Sequence, residues 1–300
     1  MWVAFGASLW GTDTVFRQPL TATLSSSQIV LFEHLILSVL LAVPLYLIRS
    51  QWLALNRRQW GALFGIGWGG SALATICFTE AIKIGNPTTA VLLQKTQPVF
   101  AALLASLLLH EPLGKRFWTC LALGLGGAYV VNFGLAGPGA GIEGEAALLA
   151  LTAAALWGAS TVLGRIVLQS VPFFAVTALR IMLATPFLMA LNARSALAVS
   201  VNLRQAGSLT LLALVPGLLA LLIYYRGLRF ARASRAAVAE LSFAGAATIL
   251  NWIFLGTRIS GAQFAGFALL WVAIFNLNRR REGDELPGIP ARTRKKAVLP

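Results

Sequence analysis

Polar side chains that interrupt long apolar stretches are the residues of this sequence that could do chemistry. Four of them follow one another at i, i+3, i+4 and i+7, so a helix would carry them on a single face. They are Trp10, Asp13, Thr14 and Arg17. A polar group inside a membrane costs roughly a few kcal/mol, and such groups therefore mark the paths of substrates or ions. The stripe indicates binding of a small amphipathic molecule.

A second stripe occurs in the other half of the sequence, at i, i+3, i+4 and i+8. It consists of Trp157, Ser160, Thr161 and Arg165. We expect the two stripes to face each other across a central cavity. The alternative is a packing seam, since small and hydroxyl residues often hold membrane helices together. Both tryptophans lie in the middle of an apolar stretch, whereas aromatic anchors belong at the membrane surface, which favours the cavity.

Lys95 is the basic residue that the sequence places deep inside the apolar region. It lies seven residues beyond Thr88, which is about 10 Å below the predicted membrane surface at a rise of 1.5 Å per residue. A buried ammonium needs a carboxylate, water or a ligand. Two interpretations stay open and can coexist: an ion pair with Asp13, or binding of a substrate carboxylate.

Together these polar and aromatic positions form the predicted substrate cavity, built from spans 1, 3, 4, 6, 8 and 9. Its lining is Trp10, Asp13, Thr14, Phe78, Gln94, Lys95, Gln97, Trp157, Ser160, Thr161, Tyr224 and Glu240. A further set of charged residues could form alternating gates or could pair statically. That set is Arg17, Glu33, Glu80, Arg165, Arg180 and Arg226.

The elements that position these residues are membrane helices. Hydrophobic residues make up 58% of the 300 residues and charged residues 11%, whereas soluble chains carry roughly 25% charged residues. A water-soluble globule is therefore excluded. Stretches of about 20 apolar residues can cross a bilayer. Ten are predicted, at about 2–20, 28–48, 60–83, 88–109, 115–136, 145–168, 174–193, 205–229, 234–255 and 260–278.

Orientation follows from the Lys and Arg residues between the spans, because positively charged loops stay in the cytoplasm. Seventeen of the 24 fall on the side of the two termini, five on the other side and two within spans. This predicts cytoplasmic N- and C-termini in a bacterial-type inner membrane. The net charge of +14 is thus explained without a nucleic-acid partner, and the basic tail at 279–300 is predicted to lie in the cytoplasm.

An internal repeat divides the sequence near its midpoint. A shift of 147 residues aligns Leu9-Trp10-Gly11 with Leu156-Trp157-Gly158, and a shift of 146 aligns the later spans. Each copy holds five spans, an odd number, so the second copy must be inverted in the membrane. The predicted organisation is a first repeat at 1–136, an external linker at 137–144 and a second repeat at 145–278. The fold class is all-α integral membrane, with ten helices in two inverted five-helix repeats around a central cavity.

An enzyme is not supported by the sequence. Its two histidines, His34 and His110, form no metal-binding pair, and it contains no Gly-x-Ser-x-Gly or nucleotide-binding Gly-x-x-x-x-Gly-Lys-Ser/Thr motif. Neither a cofactor nor ATP-driven pumping is therefore expected. The expected partners are the lipid bilayer and a small-molecule substrate. A channel would leave the inverted repeat no better explained than a transporter does.

Three motifs carry a family resemblance. Leu-Trp-Gly in spans 1 and 6, Gln-Pro-Val-Phe-Ala-Ala-Leu at 97–103 and Leu-His-Glu-Pro-Leu at 109–113 resemble the EamA-type members of the drug/metabolite transporter superfamily, most of all the YddG-like aromatic amino acid exporters. The resemblance implies an alternating-access secondary transporter that exports amino acids, including aromatic ones. Efflux of organic cations and exchange of nucleotide sugars are the alternatives. Gln97 stands where that family usually has an acidic residue, so any proton coupling would need another residue.

Overall fold

The computed structural model describes residues 1–85, 87–134, 144–193, 201–255 and 260–278. Across these ranges the protein is helical and contains no β-strand, as expected for an all-α protein. The α-helices are α1 Trp2–Leu9, α2 Asp13–Arg17, α3 Ser26–Leu47, α4 Arg49–Leu53, α5 Arg57–Phe64, α6 Ala74–Ile84, α7 Pro87–Gln94, α8 Gln97–Leu109, α9 Lys115–Phe133, α10 Gly144–Val167, α11 Phe173–Leu191, α12 Leu203–Leu212, α13 Ala220–Leu228, α14 Ala233–Glu240, α15 Ser242–Leu255 and α16 Gly261–Asn278.

Within the described ranges, six continuous helical segments are long and apolar enough to cross a membrane. They are Ser26–Leu47, Arg57–Ile84, Ala90–Leu109, Gly144–Val167, Phe173–Leu191 and Leu203–Leu228. The chain is therefore a multi-pass membrane protein, while ten spans remain a prediction. Most of the predicted linker at 137–144 and the whole tail at 279–300 lie outside the described residues.

Several predicted spans are interrupted helices. Span 1 contains a 3₁₀ turn at Trp10–Thr12, span 4 breaks between α7 and α8, and span 9 breaks between α14 and α15. Spans 3 and 8 pass through π-helical segments at Gly65–Leu73 and Ala213–Leu219. Wider turns of this kind commonly accompany functional sites in helices. The interruptions matter here because they carry residues of the cavity described below.

Element boundaries recur at the spacing of the sequence repeat. Helices α7 and α14 begin at Pro87 and Ala233 and end at Gln94 and Glu240, so both boundaries lie 146 residues apart. Capping boxes at Asn56 and Asn202 show the same spacing: each asparagine accepts a hydrogen bond from the backbone N–H three residues later. The secondary structure thus has the periodicity found in the sequence.

Small residues bring the helices into close contact. A Cβ at Gly6 of α1 would lie 2.7 Å from the backbone nitrogen of Tyr224 in α13, and one at Gly158 of α10 would lie 2.9 Å from that of Ala101 in α8. Glycine at such positions lets backbones approach in a membrane, where apolar burial alone does not drive association. This packing fixes the positions of the helices around the cavity.

Candidate functional site

A cavity of about 160 Å³ lies between the two halves of the chain. Its lining includes eleven of the twelve predicted substrate-cavity residues, all except Lys95. Helices α3 and α11 also contribute to it, through Glu33 and Arg180 among others. The six spans expected to line the cavity, 1, 3, 4, 6, 8 and 9, are joined by α3 and α11, which cross close enough to the centre to reach it.

Helix α10 supplies one wall of the cavity. The indole nitrogen of Trp157 donates to the carbonyl oxygen of Gly70 at 2.9 Å, and its ring meets that of Phe78 edge-on at 5.3 Å between centroids. Opposite elements supply Trp10 and Tyr224, whose rings are 5.0 Å apart. Aromatic rings held in place by such contacts suit an apolar or planar ligand.

One carboxylate on the polar side of the cavity is held by neutral hydrogen-bond donors. Glu240, the last residue of α14, accepts hydrogen bonds from the hydroxyls of Tyr224 at 2.5 Å and Thr161 at 3.2 Å, and from the amide of Gln97. Among the residues that the structure describes, no cation pairs with it. Its partners are neutral donors, so Glu240 is held in place and remains an acceptor beside the cavity.

Three charges form a buried cluster at another edge of the cavity. Arg17 donates to both carboxylate oxygens of Asp13, at 2.7 and 2.6 Å, and to Glu33 at 3.3 Å. Asp13 thus pairs with Arg17 one helical turn away. The hypothetical Asp13–Lys95 ion pair was wrong, because the nearer guanidinium occupies both carboxylate oxygens.

Lys95 lies in the break between α7 and α8. Its ammonium is 2.9 Å from the centroid of the Phe243 ring, and it is buried without a hydrogen-bond partner among the described residues. Phe243 lines the cavity and Lys95 does not. The predicted contact of Lys95 with a substrate carboxylate stays a prediction, and it would require Phe243 to move.

Arg180 of α11 also lines the cavity. Its guanidinium donates to Ser71 in the first π-helical segment and to the hydroxyl of Tyr225, both at 2.7 Å. Ser71, Tyr225 and Phe243 line the cavity and were missed by the sequence reasoning. Ser71 and Tyr225 directly follow Gly70 and Tyr224, which also line the cavity. Adjacent residues of a regular helix point about 100° apart, so helical spacing does not predict that both members of such a pair line one cavity.

Comparison with known proteins decides the family. The sequence model of the EamA-like transporter family matches residues 1–133 and 144–279. The chain belongs to this family. The riboflavin transporter ImpX of Fusobacterium nucleatum subsp. nucleatum is 29% identical over 291 residues, which cover 92% of this chain and 96% of that protein. A riboflavin transporter of Rhizobium johnstonii is 30% identical over 198 residues, 64% of this chain and 63% of that one.

A protein chain solved by crystallography has the same fold. It superposes on this EamA-like transporter with a TM-score of 0.73 and 19% identity, covering 92% of this chain and 96% of the other. The family membership confirms the predicted class, a membrane transporter and not an enzyme. The narrower resemblance to aromatic amino acid exporters, the inner membrane and the orientation of the termini stay predictions.

The remaining residues of the predicted gate set lie away from the cavity of this EamA-like protein. Glu80 accepts a hydrogen bond from Ser26 at 2.6 Å, and the guanidinium of Arg226 lies 4.6 Å above the Trp2 ring. Arg165 is buried but does not line the cavity. None of these three charges forms an ion pair within 4 Å among the described residues, and both the gate and the static alternative stay predictions.

Glu111 explains the Leu-His-Glu-Pro-Leu motif. One carboxylate oxygen accepts the backbone N–H of Ala233 at 2.7 Å, and the other accepts the N–H and hydroxyl of Ser234 at 2.9 and 2.5 Å. His110, with φ of 52°, turns the chain so that the glutamate can reach. Glu111 thereby caps α14, the short helix that ends at Glu240.

Replacing Glu111 with alanine should lower thermal stability and transport together. Three hydrogen bonds to a carboxylate are lost, each worth about 1.5–3 kcal/mol at most, and α14 then holds Glu240 less firmly. Glu145→Ala, at an exposed position in the first turn of α10, is the control and should change neither. Melting curves in detergent and flux in liposomes measure both effects; equal melting temperatures for the two variants would contradict the capping role.

Proposed function

We propose that this chain is a secondary transporter for a planar aromatic metabolite, and that riboflavin is its substrate. The aromatic lining of the cavity carries the proposal: Trp10, Trp157, Phe78 and Tyr224 are held by contacts with one another and with the backbone. The three-ring system of riboflavin is flat and apolar on its faces, with polar atoms at its edges. Both curated relatives described above are named riboflavin transporters, which supports this choice.

Polar groups around the same cavity suit the rest of such a molecule. Glu240, Gln94 and Arg180 offer acceptors and donors beside the rings. A sugar-alcohol chain and a heterocycle edge need both donors and acceptors, since burying a polar group without a hydrogen-bond partner costs roughly 1–3 kcal/mol. The cavity therefore combines the two kinds of contact that this substrate class requires.

Amino acid transport is the second candidate, and Lys95 is the observation that favours it. A zwitterion needs a cation for its carboxylate, and the Lys95 ammonium is buried over the Phe243 ring with no hydrogen-bond partner in the described ranges. If amino acids are the substrate, Lys95→Ala should depress their flux with little loss of folded protein. An unchanged flux of tryptophan and smaller amino acids would count against this candidate.

The proposed mechanism is alternating access between two inverted five-helix repeats. Eleven pairs of cavity-lining residues are separated by 146 or 147 positions, among them Trp10 with Trp157, Glu33 with Arg180 and Gln94 with Glu240. Ser38 and Thr185, also 147 apart, hydrogen-bond to each other at 2.7 Å. Such a distribution is expected when a two-fold axis passes through the substrate site. Rocking one repeat against the other would then expose the cavity to each side in turn.

The orientation of this arrangement has a direct test. A single cysteine at Ala140 should react with an impermeant thiol reagent applied to intact cells, and one at Arg292 should react only after lysis, since both termini are proposed to be cytoplasmic. Cys77 and Cys120 are replaced first. The reverse pattern of labelling would overturn the proposed orientation.

Purified protein in liposomes tests the substrate. Flux of radiolabelled riboflavin is compared with that of tryptophan, alanine, an organic cation and a nucleotide sugar, with empty liposomes as background. We expect saturable riboflavin flux that unlabelled riboflavin suppresses. Saturable flux of the other compounds without riboflavin flux would overturn the proposal.

Trp157→Ala should reduce riboflavin flux at least tenfold. The variant loses one stacking surface, worth about 0.5–1.5 kcal/mol beyond the area it buries, and the hydrogen bond that fixes the Gly70 carbonyl. Trp118→Ala, on α9 and outside the cavity lining, is the matched control. If both variants transport riboflavin equally well, Trp157 takes no part in binding.

A further inference from the structure

Two polar groups on the cavity wall have hydrogen-bonding capacity that the protein does not use. The hydroxyl of Ser160 is buried, with the residue 4% exposed, and has no hydrogen-bond partner in the part of the chain that the structure describes. Arg180 is 7% exposed and uses Nε and Nη1 to bind Ser71 and Tyr225. Its third nitrogen, Nη2, donates to no residue in the described ranges. Both residues line the cavity.

These groups converge on one point beside Gly70. A Cβ placed on Gly70 would lie 1.9 Å from the Ser160 hydroxyl oxygen and 3.6 Å from Arg180 Nη2. Any side chain at position 70 would therefore collide with Ser160, so glycine lets the Ser160 hydroxyl lie beside Arg180. The Gly70 carbonyl in turn accepts the indole N–H of Trp157, so the glycine, the ring and the donors form one fixed unit.

Electrostatics make this unit a site for an acceptor oxygen. In the part of the chain that the structure describes, the ion pairs within 4 Å are those of Arg17 with Asp13 and Glu33, so the hydrogen-bond partners of Arg180 there are neutral and Glu33 acts on it only from a longer distance. A cation held inside a membrane by neutral groups marks a functional position. Its spare N–H and a free hydroxyl would bind a carbonyl or carboxylate oxygen.

The neighbouring Trp157 ring favours a carbonyl oxygen over a carboxylate oxygen as the ligand of this site. Trp157 and Ser160 are three residues apart on α10 and share a face, so a ring stacked against Trp157 would bring its edge to Ser160. We propose that Ser160 and Arg180 form a subsite for a carbonyl oxygen at the edge of a planar heterocycle. For riboflavin, this oxygen is one of the two ring carbonyls. The inference rests on the proposed function and specifies which end of the substrate the cavity recognises.

Binding of riboflavin and its 2-thio and 4-thio analogues to the purified protein tests the subsite, with quenching of flavin fluorescence or absorbance as the readout. Sulfur is a weaker acceptor than oxygen, so one thio analogue should bind the parent protein about tenfold more weakly, as expected for a hydrogen bond from a charged donor. In Ser160→Ala and Arg180→Gln the ratio of the dissociation constants of that analogue and riboflavin should fall toward one. The other analogue should lose little in any variant.

Thermal stability separates recognition from structure. Because the Ser160 hydroxyl has no partner, Ser160→Ala should melt at the parental temperature or above, yet gain less stability from added riboflavin. The control is Ser242→Ala, whose hydroxyl donates to the Ala4 carbonyl at 2.7 Å outside the cavity lining. It should melt lower and keep the parental preference for oxygen over sulfur.

Each outcome supports or overturns the subsite. Equal loss of affinity for riboflavin and both analogues in the two variants would make Ser160 and Arg180 structural and overturn it, and so would a parent protein that binds all three flavins equally. In both cases the proposed function stands. A parent protein that binds tryptophan but not riboflavin, and discriminates against tryptamine through Arg180, would assign the subsite to a carboxylate. That result overturns the carbonyl and the riboflavin proposal together.

Discussion

Gly127→Leu should yield almost no folded protein. A Cβ at Gly127 in α9 would lie 2.7 Å from the backbone nitrogen of Leu270 and 2.8 Å from the carbonyl oxygen of Gly266, both in α16. The contact is reciprocal, because a Cβ at Gly266 would lie 2.9 Å from the nitrogen of Val131. Backbone atoms inside two packed helices cannot move aside as a side chain can, so α9 and α16 must separate.

The cost should reach or exceed about 3 kcal/mol, the upper end for overpacked cores. Gly126→Leu is the matched control, since nothing lies within 4 Å of a Cβ at the preceding residue. Size-exclusion profiles and melting temperatures in one detergent measure the difference. Equal yield and stability for the two variants would show that the α9–α16 contact is absent from the protein in its membrane.

Arg17→Met should have the second largest effect, at about 3–5 kcal/mol of stability. It leaves the carboxylates of Asp13 and Glu33 beside the cavity without the Arg17 guanidinium. Removing one partner of a buried ion pair leaves an uncompensated charge, which costs more stability than the intact pair contributes. Asp13→Asn and Glu33→Gln added to Arg17→Met should recover much of the loss, because the uncompensated charges are then removed.

Arg226→Met is the control for this change. Arg226 is exposed and lies over the Trp2 ring, an arrangement worth about 0.5–1 kcal/mol. Thermal unfolding of the purified variants in detergent measures all four proteins. If the triple variant is no more stable than Arg17→Met, the loss of stability comes from lost packing and not from unpaired charge.

The cavity joins two features that point to different substrates. Its aromatic walls favour a flat ring, and the charged residues of its lining, Arg17, Glu33 and Arg180, would also accommodate a zwitterion. Arg17 is already paired, whereas Arg180 has only neutral hydrogen-bond partners in the described ranges. This difference makes Arg180 the more informative residue for distinguishing the proposed riboflavin transport from amino acid transport.

The sequence by itself determined the membrane class, the helical character and eleven of the residues that line the cavity. Hydropathy and helical spacing are local properties, so they identify apolar helices and the faces of Trp10 and Trp157 without knowledge of the fold. The internal repeat added long-range information, because equivalent positions such as Gln94 and Glu240 are expected to reach the same centre.

Only the tertiary structure decided which partner each buried charge takes and where the helices are interrupted. Glu33 lies 16 residues after Arg17 on another helix, and only the three-dimensional placement brings its carboxylate to that guanidinium. Lys95 follows the end of α7, where the helix breaks and regular spacing stops predicting direction, so its side chain packs against Phe243 and does not itself line the cavity. The contributions of α3 and α11 depend on how helices cross, and crossing is set by close contacts such as that at Gly158, which no single segment contains.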